Sequence, residues 1–141
     1  MVQYTSEPAI CYPLPWMGEV RPRIAVVDDD LSVRRALERL LRASGFDAAV
    51  FASGHEFFYS LEGQTPDCLI LDLHMPGMNG LEVQRRLRQT GVQLPVVVIT
   101  GHDESQTRTQ CLDAGAAAYL CKPLNDEALI AAIQGAMAAA G

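Results

Sequence analysis

Cys68-Leu69-Ile70-Leu71-Asp72-Leu73-His74-Met75-Pro76-Gly77-Met78-Asn79-Gly80 is the stretch on which the fold turns. Its first four residues are apolar at consecutive rather than alternate positions. That is the pattern of a strand covered on both faces, as a parallel sheet requires. A carboxylate, Asp72, ends the run, and the loop beyond it carries Pro76 and Gly77 for a tight turn. Asn79 is placed to cap a helix that presents Leu81, Val83 and Leu87, with Gly91 to end it.

The same grammar repeats on either side. Ile24-Ala25-Val26-Val27 leads into Asp28-Asp29, Val96-Val97-Val98-Ile99 into Thr100, and Tyr119-Leu120-Cys121 into Lys122. After the first strand, Val33, Ala36, Leu37, Leu40 and Leu41 recur at helical spacing, and Gly45 supplies a stop. Asp47 to Phe51 reads as a weaker strand at an edge. Ser53 and Glu56 form a capping-box pattern ahead of Phe57, Phe58 and Leu61. Polar residues from Asp103 to Asp113 suit a weakly anchored helix, followed by a small-residue strand from Ala116 to Leu120. Asn125 caps a last helix whose Leu129, Ile130, Ile133 and Met137 face inward. Strands alternating with helices predict an α/β domain with five parallel strands and helices on both faces.

Residues 1–22 break this pattern. They hold four of the eight prolines and the single tryptophan, Trp16, so they read as an irregular arm, leaving residues 23–141 as the domain. The arm is either a plain extension or a means of docking Trp16 and Tyr12 on a partner. A chain of 141 residues buries an adequate core without disulfides or metals. The net charge of −6 argues against a nucleic-acid surface, and the arginine runs at 34–42 and 85–88 read as solvated helix faces. Cys11, Cys68, Cys111 and Cys121 have no metal-ligand spacing, which favours a reduced, cytoplasmic protein. No run is long enough to span a bilayer, and the first residues lack a signal-peptide pattern.

A doubly wound parallel sheet binds ligand beyond its strand carboxyl ends. There Asp28, Asp29, Asp72, Thr100 and Lys122 converge. Three crowded carboxylates repel one another unless a cation sits among them. Mg²⁺ prefers oxygen ligands and retains several waters, which suits Asp29 and Asp72 with Asp28 acting through water. Capping of the next helix accounts for Asp30 but not for the distant Asp72 and Lys122. Asp72 is the best-placed nucleophile for an aspartyl phosphate. The Lys122 ammonium and Thr100 hydroxyl would steady the phosphoryl oxygens, and the His74 backbone carbonyl would complete the metal shell.

Val26-Val27-Asp28-Asp29, the segment from Asp72 to Gly80, Thr100-Gly101-His102 and Lys122-Pro123 together resemble the receiver domain of two-component response regulators. The likeness covers roughly residues 23–138, and it implies a flavodoxin-like sheet in the order 2-1-3-4-5. It implies that Asp72 accepts a phosphoryl group from a sensor histidine kinase or phosphotransfer protein. Asp28, Asp29, Asp72 and the His74 carbonyl would hold Mg²⁺, and Lys122 would contact the phosphoryl group. Thr100 and Tyr119 match the family's switch pair, which alters the surface of the fourth helix, fifth strand and fifth helix. The Lys122–Pro123 bond is often cis in such domains. His74 and His102, two positions beyond Asp72 and Thr100, match sites that tune phosphoryl lifetime.

By the same resemblance the chain is not an enzyme beyond its own phosphorylation and dephosphorylation. A phosphorylation-dependent homodimer through the fourth helix is one expected assembly. Thr100-Gly101-His102 is similar to receivers attached to helix-turn-helix regulators, but these residues contain no such motif, so no direct DNA contact is expected. Two readings compete. One is a receiver-like interaction module that works without phosphorylation, against which the full acid and lysine set argues. The other is an aspartate-nucleophile phosphatase, which would carry a second Asp where His74 stands.

Overall fold

The computed structural model describes residues 21–140; the expectations for Trp16, Tyr12 and Cys11 fall outside the described residues. The chain runs β1 (Arg23–Val27), α1 (Leu31–Ala43), β2 (Asp47–Phe51), α2 (Gly54–Ser60), β3 (Cys68–Asp72), α3 (Gly80–Thr90), β4 (Val96–Thr100), α4 (Ser105–Asp113), β5 (Ala118–Cys121) and α5 (Asp126–Ala140). The strands form one parallel sheet in the order β2-β1-β3-β4-β5. The weak strand β2 is indeed an edge.

Residues along each central strand point alternately to the two faces. Ile24, Val26, Cys68, Ile70, Val97 and Ile99 pack with Leu37 and Leu41 of α1 and Leu129 and Ile133 of α5. Ala25, Val27, Leu69, Leu71, Val96 and Val98 face the other way, against Phe57 of α2, Val83 and Leu87 of α3 and Cys111 of α4. Every residue of β3 and β4 is buried, which explains their consecutive apolar runs. Burial pushes the Cys68 thiol up to about 12, so it behaves as a small hydrophobe.

Helix ends follow the side chains that satisfy their free amides. Asn79 Oδ1 accepts from the Glu82 amide at 2.9 Å, while Glu82 Oε1 accepts from the Asn79 amide at 2.9 Å. Gly91 closes the same helix at φ +78°, a left-handed conformation in which a side chain is strained. At α2 the expected reciprocal box is offset. Ser53 Oγ accepts from the Glu56 amide, but Glu56 Oε1 accepts from Ala52, one residue before the cap. Asn79→Ala is expected to cost about 1 kcal/mol, read from urea denaturation, because the Glu82 amide at the start of α3 loses its fixed acceptor. No change would mean that solvent satisfies it equally well.

Two boundaries differ from expectation. β5 begins at Ala118, two residues late, and extends to Cys121. Ala116 and Ala117 are instead used to cross from α4, with the Ala117 amide donating to the Val96 carbonyl at 2.8 Å. In α1 the expected inward Ala36 is exposed, and Leu37 and Leu41 carry the burial. Helix α4 is as loosely held as its polarity suggests. Cys111 is its buried residue, and its first turn has no side-chain cap.

Candidate functional site

The order of the strands reverses direction between β1 and β3, and the crevice above that point is where a doubly wound sheet binds its ligand. Asp28 follows β1, its amide donating to the Phe51 carbonyl of β2 at 3.1 Å. Asp72 closes β3, which pairs with both β1 and β4. Lys122 follows β5, its amide donating to the Thr100 carbonyl at 2.7 Å. Sheet pairing thus fixes each backbone position before any side chain is placed.

Those side chains meet. One carboxylate oxygen each from Asp28, Asp29 and Asp72 lies within 4.8 Å of the others. Lys122 Nζ donates to Asp28 Oδ2 at 3.1 Å and stands 3.4 Å from Asp72 Oδ1. Asp28 and Asp72 are buried and Asp29 is exposed. A cavity of about 510 Å³ opens over them, lined also by Asp30, His74, Gly101 and His102. Asp30 is the cap of α1, accepting from the Ser32 amide at 2.8 Å.

The charge balance is incomplete. Burial first, and then the Asp28 charge, push the Asp72 carboxyl up to about 6, with Lys122 opposing them. Burial alone would depress the Lys122 ammonium. Its hydrogen bond to Asp28 and the charges of Asp72 and Asp28 outweigh that, and its pKa is raised. One ammonium therefore does not neutralise three converging acids. An all-oxygen donor set with an unbalanced negative charge fits a hard divalent cation such as Mg²⁺.

The model of the response regulator receiver domain matches residues 24–134. The chain belongs to this family. The receiver is 38% identical over 114 residues to response regulator protein TodT of Pseudomonas putida, covering 81% of this chain and 50% of TodT. With response regulator MprA of Mycobacterium avium it shares 45% identity over 109 residues, which is 77% of this chain and 48% of MprA. A receiver protein of solved structure from Burkholderia phymatum is 48% identical, with a TM-score of 0.74 over 84% of this chain and 96% of that one. The chain spans about half the length of the curated relatives it matches.

Thr100 ends β4 at the correct rim, but its hydroxyl is turned onto the backbone of His102. It accepts from the His102 amide at 3.0 Å and donates to the His102 carbonyl at 3.0 Å. Thr100 is not among the residues lining the cavity. Tyr119 packs against the α2–α4 side of the core with the Arg108 guanidinium 5.3 Å from its ring centre. Its hydroxyl is buried, and burial pushes its pKa up against the opposing influence of the Glu104 backbone. The Lys122–Pro123 bond is cis.

Asp28 is drawn in more tightly than the sequence implied. It is fully buried, holds Lys122, and accepts from the Asp30 amide at 2.9 Å. The sequence reading also missed Arg34, placed there among solvated arginines. Its guanidinium donates to the Asp28 carbonyl at 2.8 Å and pins the acidic loop. Its place in the first turn of the helix after that loop was the available signal. Arg86 and Arg88 likewise make specific contacts, over the Phe58 ring and to the Asp113 carbonyl. Among the described residues no helix is long and apolar enough to cross a membrane.

Proposed function

We propose that this receiver is phosphorylated on Asp72 by a sensor histidine kinase or phosphotransfer protein and reports that event through the surface formed by α4, β5 and α5. One observation carries the reading: a buried carboxylate ends the central strand β3, within ion-pair reach of Lys122 and beside two further acids. Asp28, Asp29, Asp72 and the His74 carbonyl would hold Mg²⁺. When bound, that ion supplies the positive charge that the acids lack and that phosphoryl oxygens need.

An Asp72 oxygen attacks phosphorus; its O–P bond forms as the donor's N–P bond breaks, and the departing imidazole takes up a proton. With a pKa of about 6, Asp72 is mostly ionised near neutral pH and so is competent to attack. Lys122, already at the Asp72 oxygen, follows the charge onto the phosphoryl group. Thr100 then exchanges its two bonds to the His102 backbone for a phosphoryl oxygen. Its departure frees the start of the β4–α4 connection. Helix α4 has little buried surface to resist a shift, and Tyr119 packs on the same side of the sheet.

In this reading the protein works in the cytoplasm, contacts no nucleic acid through this chain, and transmits its state by protein contact. A phosphorylation-dependent homodimer through the α4 face is one such contact. Incubation with acetyl phosphate and Mg²⁺ should label the native protein and leave Asp72→Asn unlabelled. Equal labelling of the variant would move the nucleophile elsewhere. Labelling of neither would favour an interaction module that works without phosphorylation.

A further inference from the structure

At the amino-terminal edge of the sheet, opposite the acidic cavity, a mostly apolar groove of about 650 Å³ lies between the starts of the strands and the end of α5. Pro22, Pro95, Met137, Ala138 and Ala140 line it, together with Arg21, the first described residue. Pro95 and Met137 are half-buried, and Ala138 and Ala140 are exposed. None of these residues belongs to the site around Asp72.

The chain enters the domain at this groove, and it does so at a fixed point. Arg21 donates from Nε to the Gly45 carbonyl at 3.2 Å and from Nη2 to the Arg42 carbonyl at 2.9 Å. The Pro22 carbonyl accepts from the Asp47 amide at 2.9 Å. The 20 residues before Arg21 are thus tethered to the groove's own wall. Trp16, the single tryptophan, precedes Arg21 by a span of at most about 18 Å.

We propose that the segment Tyr12-Pro13-Leu14-Pro15-Trp16-Met17 folds back on its own domain and seats the Trp16 indole in this groove. An indole has an apolar body and one N–H donor. The groove matches both. Two proline rings and the Met137 side chain supply apolar walls, and a thioether adapts its shape to an aromatic ring. The last carbonyls of α5, including those of Met137, Ala138 and Ala140, have no partner within the helix, so one of them accepts the indole proton.

The segment suits this role for two further reasons. It carries no charge that docking would strip of water. Pro13 and Pro15 fix their own φ and hold the residues before them extended, so less freedom is lost on binding. The tether selects the occupant. A short flexible linker gives an effective concentration in the mM range, above that of a second copy in dilute solution. Docked there, the arm clamps the last turn of α5 to the start of β1. This inference does not rest on the reading of Asp72 as phosphoacceptor.

The test is tryptophan fluorescence of the full chain, in which Trp16 is the sole reporter. Native emission should lie at shorter wavelength than emission in urea, with weaker quenching by acrylamide. Ala138→Glu puts a charge in the groove at an exposed helical position that the fold accommodates. It should return emission to the longer wavelength and restore quenching, with circular dichroism unchanged. Ala131→Glu, exposed on the same helix outside the groove, should keep the native spectrum. A Met137 methyl resonance displaced by the indole ring should lose that displacement in Trp16→Ala. Identical native and unfolded emission, or protection that survives Ala138→Glu, overturns the proposal. So does protection lost on dilution, which would place a neighbouring molecule's arm in the groove.

Discussion

Gly80→Ala is expected to destabilise the fold by about 1–3 kcal/mol, the usual range for an atom forced into packed surroundings. A Cβ at Gly80 would stand 2.7 Å from the Asp72 carbonyl oxygen and 2.9 Å from Leu73 Cα. Both are backbone atoms, so no side-chain rotation relieves the clash. The Gly80 amide also donates to the Leu73 carbonyl at 2.9 Å, which holds α3 tight against the end of β3. Alanine is otherwise the better helix former by roughly 0.5–1 kcal/mol. A net loss therefore isolates the close approach. Because the displaced atoms belong to Asp72, phosphorylation should fall along with stability. Urea denaturation and acetyl phosphate labelling of one preparation read both. A variant as stable as the parent would show that α3 stands farther from β3 than described.

The second large effect is a pH dependence in Mg²⁺-free solution. Burial and the Asp28 charge raise the folded-state pKa of Asp72 from 3.8 to about 6. Below the unfolded value both states hold the proton, and this contribution to stability is complete. As pH rises through about 6 the folded state must ionise a carboxyl it keeps protonated, and the contribution is lost. At about 1.36 kcal/mol per unit, the loss is about 3 kcal/mol at most.

Asp72→Asn removes the titration, and Lys122 keeps Asp28 as its partner. Near pH 7 without Mg²⁺ the variant should be the more stable protein, with the difference shrinking toward about pH 5. Millimolar Mg²⁺ should raise the melting temperature of the native protein by ligand linkage and do so much less for Asp72→Asn. Melting curves over this range, with and without Mg²⁺, check all three points. A native protein that gains stability on the variant as pH rises would mean that Lys122 already balances the acids.

Much of this molecule was legible in its sequence, for physical reasons. Strands β3 and β4 are buried on both faces, and burial leaves consecutive apolar residues that no helix or edge strand requires. Charged residues at the ends of β1, β3 and β5 could then share a single rim, which located Asp28, Asp29, Asp72 and Lys122. The start of β5 was not legible, because Ala116, Ala117 and Ala118 carry no alternation from which to read register. Side-chain direction was equally hidden. Nothing local to Thr100 says that its hydroxyl folds onto the His102 backbone instead of the cavity. The same holds for Arg34, whose neighbours Arg35 and Arg39 are exposed, and for Gln84, which is buried and donates to the Cys111 carbonyl at 3.0 Å. The role of Gly80 depends on a neighbour seven residues away across a turn, a contact that only the folded chain reveals.

Locating the phosphoryl group chemically tests the account most directly. After reaction with acetyl phosphate and Mg²⁺, hydride reduction of an aspartyl phosphate leaves homoserine, whose position peptide mass mapping reads. Homoserine at position 72, formed only with Mg²⁺, is the predicted result. Homoserine at position 28 or 29 with none at 72, or equal formation without Mg²⁺, would contradict the central claim.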